Sequence, residues 1–176
     1  MAHFKQIADV SPVPVVLYNL PGPTGVILTP AMVASMAEHQ NVLGLKETSP
    51  DLERLGISAT LRGGAFPVMS GWAPVLYPAM MAGAAGGILA VANVLPEQCV
   101  ALYEHVKAKR HAEALALQRS LTKIAMYVSS VYGIAGLKAA LEMTGYQGGP
   151  VRAPLQAVSD RVRAEIAAVL RDVQGN

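Results

Sequence analysis

The sequence is poor in cysteine, in charge and in large aromatic residues. Cys99 stands alone, which excludes a disulfide framework and suits a reducing compartment, so a cytoplasmic location is expected. Only 15% of the residues are charged, and the net charge of +2 comes from scattered Lys and Arg with no basic stripe; nucleic-acid binding has no support. No charged residue occurs from Gly63 to Pro96. A membrane span needs about 20 apolar residues in a row, and Pro74, Pro78, Gly83, Gly86, Gly87 and Asn93 divide this stretch into a helix, a turn and a strand. Met1-Ala2-His3-Phe4-Lys5 leads into a charged amphipathic segment and lacks the form of a signal peptide.

What the chain does have is apolar surface. With 176 residues, 52% of them hydrophobic, it is long enough for one core and too apolar for disorder. Strands are predicted over residues 13–19, 42–47, 66–70 and 87–92. Each reads as a continuous apolar run, the pattern of a parallel sheet covered on both faces. Helices alternate with them. Thr29 and Pro30 start one that runs to about His39, Ser49 and Pro50 start the next, and a third covers 74–82. The strand ends at Tyr18, Lys46, Gly71 and Asn93 follow one another about 25 residues apart, the repeat of a βα unit with right-handed crossovers. After Asn93 the pattern is helical: 96–109, 111–129, 133–143 and 159–173. The expected division is residues 1–95 and a helical region, 96–176.

Polar and small residues gather at the strand ends: Tyr18 and Asn19, then Lys46, Glu47 and Thr48, then Ser70 and Gly71, then Asn93. In parallel α/β architectures that edge carries the site. Lys46 closes the run Val42-Leu43-Gly44-Leu45, where a charge either snorkels to solvent or is held for chemistry. A lysine nucleophile attacks as its neutral amine, forms an imine with a ketone, and needs a proton shuttle nearby. Tyr18, ending the preceding strand, is a candidate shuttle. The residues alone leave this reading level with a snorkelling lysine and a core tyrosine.

Tyr18-Asn19-Leu20-Pro21-Gly22-Pro23-Thr24-Gly25 resembles the YNxPxxTG stretch of the dihydrodipicolinate synthase / N-acetylneuraminate lyase family. Gly44-Leu45-Lys46-Glu47-Thr48 is similar to its Schiff-base strand. Gly86-Gly87-Ile88 with Ala92-Asn93-Val94, the segment Tyr132 to Lys138, and Gly148 to Leu155 follow in the family's order. The resemblance implies a class I, pyruvate-dependent aldolase or lyase, with no metal or organic cofactor. Lys46 would form the imine with a 2-oxo acid, and Tyr18 would relay protons. Thr48 would contact substrate, and Gly71 and Ile88 would line the pyruvate pocket with their backbone. It also implies a partial (βα)8 TIM barrel, the last four βα units followed by a C-terminal helical region, and a homo-oligomer.

Departures from the family pattern narrow the expected substrate. Pro23 stands where dihydrodipicolinate synthases usually carry an arginine. Trp72, Ala73 and Pro74 replace the acidic residues with which sialic acid lyases hold sugar. Residues 83–95 and 132–156 look most like 4-hydroxy-2-oxoglutarate aldolase, which yields pyruvate and glyoxylate. The first four strands of the family barrel have no counterpart in this sequence. The alternatives are a dihydrodipicolinate synthase-like or other pyruvate-dependent lyase or dehydratase, or an inactive half barrel that only self-associates.

Other residues read as structural. Gly83, Gly86 and Gly87 precede a strand, so they suit helix–sheet packing better than a phosphate loop. His3, His39, His105 and His111 read as surface residues without metal-ligand spacing. Asp51, Glu53 and Arg54 read as a solvated helix face, and Arg152 as structural. Trp72 suits a pocket wall or plain packing. Ser129 and Ser130 have no His–Asp pair in position, and Cys99 suits a core or a helix surface, not a nucleophile.

Overall fold

The computed structural model describes residues 1–174 and divides the chain into two compact units, Met1–Ile88 and Leu89 onward. The first unit holds helix α1 (Ala2–Val10), strand β1 (Val15–Asn19), a short turn of helix α2 (Pro21–Thr24), α3 (Pro30–Ala37), β2 (Val42–Glu47), α4 (Leu52–Ala59), β3 (Val68–Ser70), α5 (Leu76–Met81) and β4 (Gly86–Gly87). The four strands form one sheet in the order β1-β2-β3-β4, every pair parallel. Consecutive strands are neighbours, as expected of βα units in series.

One face of this sheet is packed. Leu17 of β1, Leu45 of β2 and Val68 of β3 are buried with Val33 and Met36 of α3, Leu55 of α4, Ala79 of α5, and Phe66, which precedes β3. Each fully buried Leu or Phe here contributes on the order of 1.5–3 kcal/mol. On the other face Val16 is 51% exposed, Tyr18 48% and Ile88 46%. The strands are therefore apolar on both faces, as the sequence reads, but only one face is covered within this unit.

Several element limits differ from the sequence expectation, each for a local reason. The third strand starts at Val68, not Phe66, because Pro67 has no N–H to donate. The helix after Trp72 opens as a 3₁₀ turn over Ala73–Val75 before α5. The predicted strand over 87–92 shrinks to Gly86–Gly87, residues without side chains to pack, and a 3₁₀ turn follows over Ala90–Asn93. Helix α4 is capped not by Ser49 but by Asp51, whose Oδ1 accepts from Arg54 N at 2.8 Å. At α3 the expected cap is present: Thr29 Oγ1 accepts from Met32 N at 3.3 Å, with Pro30 in the first turn.

The second unit is helical: α6 (Pro96–Lys107), α7 (His111–Met126), α8 (Gly133–Met143) and α9 (Asp160–Gln174). Its buried residues include Leu102, Leu121, Ile124, Val128, Ala140 and Ile166. Helix α7 stops short of Ser129. The chain widens into a π turn over Tyr127–Val131, closed by Tyr132 N donating to Tyr127 O at 3.0 Å. The Tyr132 hydroxyl donates to Glu165 and so ties the start of α8 to α9. Cys99 is buried, and burial pushes its thiol up to about 11. Among the described residues, no helix is long and apolar enough to cross a membrane.

Candidate active site

The parallel register places Tyr18 directly opposite Lys46. Side chains alternate along a strand, so both project from the same face, the one that α3 and α4 do not cover. There the Lys46 ammonium stands over the Tyr18 ring, 4.1 Å from its centroid. Such a contact is worth about 0.5–1 kcal/mol at a partly exposed site. The ring therefore holds the amine by its face and leaves the phenol oxygen at the ring's far end.

Thr48 and Gly71 complete the immediate surroundings of Lys46. Thr48 extends the β1–β2 ladder, its N donating to Asn19 O at 2.9 Å. Its Oγ1 is buried and has no hydrogen-bond partner among the described residues. A buried hydroxyl without a partner is costly, and a ligand oxygen or nitrogen would relieve it. Gly71 N donates to Glu47 O at 2.7 Å, which continues the sheet past β3. A β-carbon on Gly71 would lie 1.8 Å from Thr48 Oγ1 and 3.0 Å from Lys46 Cε. Only glycine fits beside this pair. Ile88 N donates to Ser70 O at 2.9 Å. The N–H groups of Gly71 and Ile88 are thus engaged in the sheet, so Gly71 can offer a ligand its carbonyl oxygen and bare backbone, and Ile88 its carbonyl oxygen and an exposed apolar side chain.

The first unit thus brings together Tyr18, Lys46, Thr48 and Gly71, with Ile88 at the far side of the sheet. Asn93, grouped with them in the sequence, lies in the second unit in a 3₁₀ turn, its amide donating to Ala90 O at 3.0 Å. Trp72 is partly buried, and its N donates to Ser70 Oγ at 3.4 Å. Pro23 is exposed within α2. Gly83 approaches helix α4 closely: its β-carbon would lie 3.0 Å from Ala59 Cβ, which is packing and not phosphate binding.

Sequence reasoning missed a buried polar cluster directly behind the lysine. Glu47 is fully buried on the helix-covered face, with Asn19 and Ser49 donating to its two oxygens at 2.7 Å each. Arg54 is not part of a solvated helix face. Its side chain is largely buried, 2.6 Å from Asp51 Oδ2 and 3.8 Å from Glu47 Oε1. The signal was present in the strand period: the residue after an outward Lys46 must point into the core, and a carboxylate there needs partners. His39 pairs with Asp9 at 2.9 Å, and His105 accepts from Arg110 Nε at 2.9 Å. Among the described residues, no group of three His, Cys, Asp or Glu is placed to hold a metal.

Comparison with known proteins gives a consistent family. The profile of the Dihydrodipicolinate synthetase family matches residues 1–173, the N-terminal residues included. The 4-hydroxy-tetrahydrodipicolinate synthase of Methanoculleus marisnigri is 36% identical over 171 residues, covering 96% of this chain and 58% of that protein. The enzyme of the same name from Geotalea uraniireducens is 33% identical over 172 residues, covering 97% and 59%. Among solved structures, dihydrodipicolinate synthase from Thermotoga maritima superposes with a TM-score of 0.88 at 29% identity, covering 98% of this chain and 60% of that one. A prophage protein of the dihydrodipicolinic acid synthase family from E. coli, solved in complex with pyruvate, gives 0.89 at 26% identity, covering 98% and 60%. The chain spans about six tenths of the length of the relatives that it matches.

Proposed function

The chain belongs to the dihydrodipicolinate synthetase family, and on that premise we propose that it carries the imine-forming centre of a pyruvate-dependent class I lyase or aldolase. Lys46 is the nucleophile. Its neutral amine attacks the C2 ketone of pyruvate or another 2-oxo acid, water leaves, and the resulting imine withdraws electrons from C3. That stabilises the carbanion equivalent needed to make or break a carbon–carbon bond. No metal or organic cofactor enters the step. Tyr18 is the proton relay and Thr48 a hydroxyl for the substrate. The carbonyls of Gly71 and Ile88 form the wall.

The observation that carries this reading is the pairing of Tyr18 with Lys46 in register, amine over ring at 4.1 Å. The Thr48 hydroxyl beside them, without a hydrogen-bond partner among the described residues, supports it. The names of the curated relatives favour a condensation of the dihydrodipicolinate synthase type over cleavage of 4-hydroxy-2-oxoglutarate. A second reading, aldol cleavage, is favoured by Pro23, at a position where such synthases usually hold a substrate carboxylate with arginine. In the whole protein we infer a (βα)8 barrel of which residues 1–95 supply four units and 96–176 the helical region. We further infer a homo-oligomer in the cytoplasm.

Borohydride reduction in the presence of pyruvate tests the centre. Hydride addition to the imine carbon leaves a secondary amine, which peptide mass spectrometry should find on Lys46 and not on Lys5 or Lys123. Lys46→Ala should remove the adduct without unfolding the chain. A folded sample that gives no adduct would refute the proposal.

A further inference from the structure

Glu47 is 0% exposed and follows Lys46 directly. Asn19 is 1% exposed and follows Tyr18 directly. Strand alternation turns both toward the helix-covered face, opposite the amine and the ring. There Asn19 Nδ2 donates to Glu47 Oε2 at 2.7 Å, and Leu28 N donates to Asn19 Oδ1 at 3.0 Å. The second oxygen, Oε1, accepts from Ser49 Oγ at 2.7 Å and has Arg54 Nη1 at 3.8 Å. Main-chain bonds run alongside: Thr48 N to Asn19 O, and Gly71 N to Glu47 O.

A carboxylate is not needed to pack this face. Leu17, Leu45 and Val68 pack it with apolar side chains, and a buried charge is costly wherever an apolar residue would fit. What the carboxylate adds is direction. Two hydrogen bonds with fixed geometry tie the end of β1 to the end of β2 and to the residue that starts the α4 connection. The fixed pair behind sets the spacing of the pair in front. Resting on the imine-forming role of Lys46 given above, we propose that Glu47 is a positioning residue: through Asn19 and Ser49 it holds the Lys46 amine against the Tyr18 ring.

Glu47→Gln and Glu47→Ala separate the hydrogen bonds from the charge. A glutamine can keep its amide oxygen toward Asn19 and its amide nitrogen toward Ser49, whereas alanine removes both bonds. The first measurement needs no pyruvate. Nuclear Overhauser cross-peaks between the Lys46 ε-protons and the Tyr18 ring should persist in the unaltered chain and in Glu47→Gln. They should weaken several-fold in Glu47→Ala, while the resonances of Leu45 and Phe66 stay in place. Equal cross-peaks in all three chains, or equal loss in both variants, would overturn the proposal. If Glu47→Ala does not fold, Asn19→Ala takes its place under the same criterion.

The second measurement is the rate of pyruvate trapping. Glu47→Ala should slow the maximal rate by about tenfold, as a displaced nucleophile does. Its half-saturating pyruvate concentration should stay within about twofold, since the clamp touches no substrate. Glu47→Gln should trap at close to the unaltered rate. A variant that loses only the fraction of labelled chains, at an unchanged rate, has lost fold and not positioning, which counts against the proposal. Absence of trapping in the unaltered chain refutes the imine reading itself, and the cross-peak criterion then decides the clamp alone.

Discussion

Gly71 and Thr48 compete for one volume: a β-carbon on the glycine would stand 1.8 Å from the threonine hydroxyl and 2.8 Å from its Cβ. The same point lies 3.0 Å from Lys46 Cε, so an added methyl would also crowd the lysine stem. Gly71→Ala should therefore lower stability by about 1–3 kcal/mol and slow pyruvate trapping at Lys46. Combining it with Thr48→Ala removes the tightest contact, so the double variant should melt above Gly71→Ala alone. Equal melting temperatures for Gly71→Ala and the unaltered chain would count against this packing.

Tyr18 offers its ring and its hydroxyl to different tasks. Tyr18→Phe keeps the ring face under the Lys46 amine and removes the proton relay. Imine trapping should persist at a reduced rate, and turnover in the complete enzyme should fall further, by about 10²–10⁴-fold. Tyr18→Ala removes the ring as well and should slow trapping more than Tyr18→Phe. Stopped-flow trapping of both variants gives the order directly, and the reverse order would exclude the ring contact as a positioning device.

The cap of α4 separates two neighbouring residues by role. Asp51→Ala deletes the bond to Arg54 N and should cost about 0.5–2 kcal/mol. Ser49→Ala keeps the Asp51 side-chain cap but removes one donor to the buried Glu47 carboxylate, together with the bond that Ser49 Oγ accepts from Asp51 N at 3.3 Å. Urea unfolding distinguishes them when read alongside trapping. Asp51→Ala should lower stability with the trapping rate of the folded chain unchanged, and Ser49→Ala should slow trapping.

Cys99 gives a pH prediction. Its folded-state thiol is pushed up to about 11 from an ordinary 9.0 by burial. Between those values the unfolded chain has lost the proton that the folded chain keeps. Unfolding is therefore favoured as pH rises through this window, and the contribution of the neutral thiol is fully present below about pH 9. Cys99→Ala should flatten the alkaline part of the stability curve. At pH 8, alkylation of the folded protein should be much slower than in denaturant, and equal rates would contradict the burial.

Much of the first unit was legible because its physics is local. Apolar runs gave the strands, Thr29 and Pro30 gave the start of α3, and Lys46 and Tyr18 stood out as polar ends of apolar runs. What was illegible depended on tertiary partners. Ser49 reads as a helix cap until Glu47 is seen to need its hydroxyl. Arg54 reads as solvated until the same carboxylate draws it inward. Gly86–Gly87 pairs through the backbone alone, so no side-chain pattern marks where β4 ends. The open hydroxyl of Thr48 and the vacancy at Gly71 are complementary, and no one-dimensional signal encodes their fit.

The strand order has a consequence for how the site comes into being. Because each strand pairs with the one synthesised just before it, the sheet can grow in the order in which the chain leaves the ribosome. Tyr18, Asn19, Lys46 and Glu47 all belong to a single pairing, between β1 and β2. The nucleophile, its relay and the Asn19–Glu47 bond behind them meet in that one pairing, whereas the Gly71 and Ile88 walls wait for β3 and β4 to dock.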